Sequence, residues 1–295
     1  MAGHVKPMNR AFGTLKWFLR MLAVVLLVLI GSTALVRFAP GYLSDTREMD
    51  SRYASNARAE LSTEAARSGS LVHLLSLEIA GWTRGDAGIS RQYGVPVFEL
   101  IWPRLVVTGG LLLRALILAW SLALSVSLIS SAGRKPSLLW QAPAALLLAV
   151  PTAAMATLCL LTDRGGPVLV MALLLAARDF KFLHRTLRSG WLEPHLLQAR
   201  AQGITVRRLL WAHILPATAP QIGALASLSM VTALSALVPT EVIFNVQGLG
   251  QLAWNAALNR DLPVLLAVTM IVTLAVTISG ALANRPVGPV EWATA

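Results

Sequence analysis

Arg114 and the stretch Gln198–Pro216 hold the side chains best placed to do chemistry in this sequence. What they offer is electrostatic recognition rather than bond-making. In Gln198–Pro216, Arg200, Arg207 and Arg208 stand among the small residues Ala199, Ala201 and Gly203. A partner's surface could approach such a backbone closely, with the arginines setting the sign of the contact. The plainer reading is a basic loop beside anionic lipid. Arg114 lies inside an apolar run, roughly 13 Å from its near end at 1.5 Å per residue. Three readings of it stay open: it snorkels along the span, it lines a pathway and attracts anionic groups, or it pairs across helices.

Constellations for covalent or metal chemistry are missing from the sequence. There is no Gly-x-x-x-x-Gly-Lys-[Ser/Thr] phosphate loop, so the chain does not bind ATP in that mode. Neither His-Glu-x-x-His nor Gly-x-Ser-x-Gly occurs. His4, His73, His184, His195 and His213 are read as lying outside the depths of the spans, and no Asp or Glu is placed mid-span. The His and Cys spacings give no metal site. Cys159 sits in an apolar run and reads as a small buried hydrophobe. The expectation is no catalytic residue, no metal and no cofactor in this chain.

The elements that must carry these residues are apolar helices. Of the 295 residues, 56% are hydrophobic and 13% charged, against about 25% charged in a soluble domain. The net charge of +11 is spread between apolar runs rather than along one polar face, which argues against nucleic-acid binding. A bilayer core about 30 Å thick takes roughly 20 apolar residues. Six runs qualify: Met21–Val36 (extended from Trp17), Leu105–Ser131, Pro136–Thr162, Gly165–Ala177 with help from Phe180, Phe182 and Leu183, Ala217–Thr240, and Leu262–Asn284. Pro143 and Pro151 are expected to kink the third. The first run is read as an uncleaved anchor rather than a signal peptide.

Every lysine, and most arginines outside residues 37–104, fall on one side of this pattern; in residues 37–104 arginines and acids balance. The bias predicts six transmembrane helices, N-in and C-in, in an all-α integral membrane protein. The predicted organisation is a cytoplasmic tail at 1–16, a first helix at 17–36, an extracytoplasmic segment at 37–104, a helical core at 105–284 and a cytoplasmic tail at 285–295. Within the extracytoplasmic segment, Arg47–Arg67 reads as a surface helix, Leu71–Ala80 as a membrane-facing or packed segment, and Gly81–Gly94 as turns.

Inside the core, 185–216 is a cytoplasmic loop. Glu193–Gln202 is a good helix former, with Pro194 tolerated in its first turn. Gly203 suits a left-handed residue just past the helix end. Thr205 can then N-cap a second helix from Val206.

Gln198-Ala199-Arg200-Ala201-Gln202-Gly203 followed by Leu215-Pro216 resembles the E-A-A loop of ABC importer permeases, in the version found in the dipeptide/oligopeptide/nickel permease family. Three further places agree with that family: Gly85-Asp86-Ala87-Gly88-Ile89-Ser90 with Gly94-Val95-Pro96-Val97 and Arg104-Leu105; Glu241-Val242-Ile243-Phe244 with Gly248-Leu249-Gly250; and Arg260-Asp261-Leu262-Pro263-Val264. Together they run from about Gly85 to the sixth span in the family's order. Departures are Leu197 and Gln198 in place of Glu and Ala, Gln247 for a usual proline, Ala217 for a frequent Asn, and a short link at Asp163–Gly166.

The resemblance implies a permease subunit of a peptide-type ABC importer in the bacterial inner membrane, working by alternating access. ATP would be bound by partner ATPase subunits. A second permease subunit (a heterodimer), an extracytoplasmic solute-binding protein and membrane lipid are the other implied partners. Carried onto this chain, the ATPase-coupling residues are Ala199, Arg200, Ala201, Gln202, Gly203 and Ile204, flanked by Arg207 and Arg208, and Arg114 is a pathway residue. The rival readings are an ion-coupled secondary carrier and a non-transporting scaffold or sensor.

Overall fold

The computed structural model describes residues 84–132, 137–259 and 261–283, with residues 19, 21–24, 26–28, 30, 31, 80 and 81. The expectations for 1–16, Arg47–Arg67, 71–79 and 285–295 lie outside the described residues. Of the first apolar run, the described residues are helical. Among the described residues the chain is almost entirely helical, with one isolated β-bridge, Ile89 to Pro96.

The helices are α1 (Val97–Ala132), α2 (Ser137–Ala149), α3 (Thr152–Leu161), α4 (Pro167–Trp191), α5 (Pro194–Ala201), α6 (Val206–Leu209), α7 (Leu215–Ile243), α8 (Leu249–Leu258) and α9 (Leu262–Ala283). A π turn, Leu210–Ile214, joins α6 to α7 without a break. Among the described residues, three helices are long and apolar enough to cross a membrane: Val97–Ser131, Val206–Ile243 and Leu262–Ala281. Their hydroxyls are largely satisfied within the helix. Thr269, Thr273 and Thr277 each donate to the carbonyl one turn back, as a helix facing lipid requires.

The third apolar run departs from expectation. It is two helices, α2 and α3, meeting at 90°, rather than one kinked span. The break falls at Pro151, whose backbone is extended (φ −58°, ψ 143°). Pro143 stays inside α2. Pro151 has no N–H to give and its ring crowds the preceding turn, so the chain leaves the helix at Val150 and restarts at Thr152. Neither half is long enough alone to cross a core of about 30 Å.

Two of the remaining runs are longer than read. α1 begins at Val97 rather than Leu105 and passes through Pro103. The fifth begins at Val206 and absorbs the predicted loop end. Pro216 lies in the first turn of α7, and the π turn before it lets Leu215 N–H bond Leu210 O. This wider register accommodates a residue that cannot donate.

The chain divides into two compact units, 1–105 with 251–277 and 106–250 with 278–295. The second unit is built round α4. That helix buries Val170, Met171, Leu175, Phe180, Leu183 and Leu187; of these, Met171 and Leu175 pack with Leu111, Leu112, Ala115 and Ala119 of α1 and with Ala233, Ala236 and Leu237 of α7. Alanine recurs on both partners, so the backbones approach closely, as membrane helices do when packing rather than water drives association.

α4 also buries two ionisable side chains. Asp179, placed outside the spans by sequence, is fully buried in its middle and accepts a hydrogen bond of 2.8 Å from Ser229. His184 is fully buried, its Nδ1 2.7 Å from Ser130 Oγ. Hydropathy counts both as costs; it cannot see the serines on α7 and α1 that receive them.

Candidate functional site

Three constructions in the described residues bear on function. The first is the elbow between α4 and α7. α5 ends as the residue types foretell. Gly203 has φ +82°, and Ile204 N–H bonds Ala199 O at 3.2 Å. That six-to-one bond belongs to a Schellman motif, with Gly203 as the left-handed residue past the helix end. Thr205 has the extended backbone of an N-cap (φ −64°, ψ 142°), but its side chain makes no capping bond.

The elbow is seated on an apolar cluster of Leu187, Trp191, Leu196, Leu209, Leu210 and Ile214, against which Ala199 and Ile204 pack half-buried. The close approach of Gly190 to Ile214 (3.1 Å for a Cβ added there) keeps α4 tight against the π turn. Of the sequence-predicted coupling residues, Ala201, Gln202, Gly203, Arg207 and Arg208 are therefore exposed, while Ala199 and Ile204 anchor the turn from inside. Arg200 lies in α5; its side chain is outside the described residues. Beside the exposed set, Thr205, Arg207, Arg208 and Trp211 line an open concavity of about 380 Å³. Trp211 is 63% exposed, and sequence reading did not single it out.

Arg114 is exposed on α1, and its Nε donates to Gly110 O at 2.8 Å, one turn toward the N-terminal end of the helix. It and the elbow lie on different helices.

The second construction lies at the far end of α7. Val246 N–H bonds Glu241 O at 2.8 Å and Asn245 N–H bonds Val242 O at 3.3 Å, with Asn245 at φ 51°. This is a complete Schellman ending, with Asn in the left-handed position. It turns the chain back so that the Glu241 side chain, fully buried, meets residues beyond its own helix. Oε1 accepts from Thr108 Oγ1 of α1 at 2.7 Å, and Oε2 accepts from Gly250 N–H at 2.7 Å. Thr108 Oγ1 in turn accepts from Leu249 N–H at 2.8 Å. The glycines are required by space. A Cβ on Gly248 would overlap the Glu241 carboxylate, and one on Gly250 would lie 3.0 Å from the Val238 backbone. The two halves of one sequence motif, with Thr108 of α1, thus form one carboxylate clasp. The legible signal was a lone acid at the end of an apolar run, closely followed by Gly-x-Gly.

The third lies in the first unit. Asp261, fully buried, accepts hydrogen bonds from Ser90 Oγ and from Gln92 N–H (3.2 Å). Tyr93 N–H bonds Ser90 Oγ at 3.1 Å, and Gly88 approaches Pro263. The Gly-Asp-Ala-Gly-Ile-Ser motif therefore folds onto the Arg-Asp-Leu-Pro-Val motif, about 170 residues later. Among the described residues no group of His, Cys, Asp and Glu could hold a metal ion.

A family model described as "Binding-protein-dependent transport system inner membrane component" matches residues 105–286. The chain is 27% identical over 236 residues to the oligopeptide transport system permease protein AppB of Bacillus subtilis (strain 168), covering 70% of this chain and 75% of that one. It is 24% identical over 321 residues to the dipeptide transport system permease protein DppB of Escherichia coli (strain K12), covering 88% and 94%. It is 25% identical over 283 residues to the probable peptide ABC transporter permease protein y4tP of Sinorhizobium fredii (strain NBRC 101917 / NGR234), covering 85% and 89%.

Proposed function

The chain belongs to the inner membrane components of binding-protein-dependent transport systems, and from that premise we propose that it forms part of an import pathway for peptides, opened alternately to the two sides by separate ATPase subunits. As a family member it is a multi-pass inner-membrane transport subunit. Peptide as cargo rests on what its relatives' names say they carry. The chain brings no ATP site of its own; nucleotide stays on the partner. A second permease subunit completes the pathway as a heterodimer, and a solute-binding protein delivers cargo from outside. The full architecture is six spans, N-in and C-in, with the bent α2–α3 pair as the third, α4 as the fourth and residues 37–104 outside.

One observation carries the coupling role. The Schellman turn at Gly203 presents Ala201, Gln202 and Gly203 to solvent while Ala199 and Ile204 hold the turn on an apolar seat shared with α4 and the π turn. A push on that turn reaches two spans without passing through a flexible loop. Arg207 and Arg208 flank the contact, and Arg114 faces the pathway. ATP closure biases a bistable bundle only if the elbow contact differs between nucleotide states.

The test is the purified chain with its ATPase and second permease subunit in liposomes. The ATPase rate should rise in the presence of the chain and fall in Gly203→Trp, whose side chain would stand in the docking surface. Indifference to Gly203→Trp in a well-folded complex would end the coupling reading. Buried Asp179 and Glu241 could serve an ion-coupled carrier instead; uptake that follows a proton gradient without ATP would favour that reading.

A further inference from the structure

α6, the π turn and α7 form one helical path, Val206–Ile243, 38 residues long. At 1.5 Å per residue, Val206 and Glu241 lie about 50 Å apart along it, farther than the hydrocarbon core of about 30 Å. The elbow sits at one end. At the other, Glu241 grips Thr108 of α1 and the amide of Gly250 at the start of α8. We propose that the Glu241–Thr108–Gly250 clasp is the output end of this lever: a positioning device that makes α1 and the Gly248–Gly250 turn follow α7 when the elbow is pushed. The proposal rests on the coupling reading above and adds to it where the movement is delivered.

Three features favour a rigid grip over a chance contact. Both carboxylate oxygens are engaged, one by a side chain of α1 and one by a backbone amide. Thr108 is bonded on both sides, donating to Glu241 and accepting from Leu249 N–H, so neither partner can move without breaking a buried hydrogen bond. Gly248 and Gly250 leave no space for a side chain, so the turn has no slack in which to lag behind. Thr108, Glu241, Gly248, Leu249 and Gly250 are all buried, where an unmade polar bond is expensive. The grip therefore passes on displacement as well as position.

The experiment uses the assembled transporter in liposomes, carrying Cys159→Ser and Gln247→Cys. Gln247 is exposed beside the clasp, and its labelling by a membrane-impermeant maleimide reads the far end of the helix without needing a known cargo. Labelling is compared before and after vanadate trapping of the ATPase, alongside ATP hydrolysis. In the parent, trapping should change the labelling rate. In Thr108→Val, which keeps shape and removes the hydroxyl, hydrolysis should persist while that change shrinks by about 3- to 30-fold, the range of coupling lost at single positions. Glu241→Gln should behave likewise, since its amide turns an N–H toward a donor where the carboxylate offered an acceptor.

A state-dependent labelling change preserved in both variants would overturn the clasp. So would hydrolysis and labelling change falling in proportion, which marks a merely structural role. Gly203→Trp keeps the two proposals apart. If hydrolysis ignores it, the input end is lost and both fail; if hydrolysis responds while Thr108→Val labels like the parent, the clasp alone fails.

Discussion

At the scale of single residues, buried carboxylates organise this protein, and each is held by partners the sequence does not place beside it. Glu241 takes hydrogen bonds from Thr108 and Gly250, Asp261 from Ser90 and Gln92, and Asp179 from Ser229. Removing an acceptor of this kind strands its donors. Glu241→Ala leaves the Thr108 hydroxyl and the Gly250 N–H short of a partner, at a cost of about 2–4 kcal/mol; a lower unfolding temperature in detergent checks it. The glycines give a matched pair. Gly248→Ala drives a methyl into the Glu241 carboxylate, whereas Gly223 has nothing within 4 Å of an added Cβ. Gly248→Ala is expected to destabilise by about 1–3 kcal/mol through overpacking. Gly223→Ala is expected to be neutral or stabilising by up to about 1 kcal/mol through helix propensity. Thermal melts of the two side by side test the contrast.

At the scale of elements, punctuation residues set where helices stop, and packing sets how far they run. Gly203 was legible because a left-handed position after a helix favours glycine, and its φ of +82° bears that out. Gly203→Ala keeps the turn but strains it by about 1–2 kcal/mol, and exchange of the Ile204 amide, which closes the turn, should quicken correspondingly. Prolines were harder to read. Pro143, Pro220 and Pro239 stay inside helices while Pro151 breaks one, because the neighbouring helices decide whether a lost hydrogen bond is tolerated. Pro151→Ala returns the missing N–H and should partly straighten α2 into α3. Spin labels at Leu146 and Leu158, both exposed, should then move apart toward about 18 Å, the length of twelve residues of straight helix; an unchanged EPR spectrum would show that packing, not Pro151, holds the 90° bend.

At the scale of the whole molecule, an inner-membrane transport component carries an elbow on which Arg207 and Arg208 are exposed. With the proposed topology, Ala201→Cys in a Cys159→Ser background should react with an impermeant maleimide in inverted vesicles and not in intact cells; the reverse pattern would place the elbow outside and remove the coupling role. The sequence by itself determined the class of protein, because apolar runs long enough for a bilayer are a property of composition. It also determined the turn of the elbow, because its helix and glycine are neighbours in the chain and a Schellman turn is a local structure. Four motifs in order sufficed to mark the family. What only the tertiary structure decided is which of these residues meet. Ser90 meets Asp261, and Thr108 meets Glu241 and Leu249, across more than a hundred residues of chain. A buried carboxylate is stable only where several donors converge on it, and convergence from distant helices is not written in any local spacing.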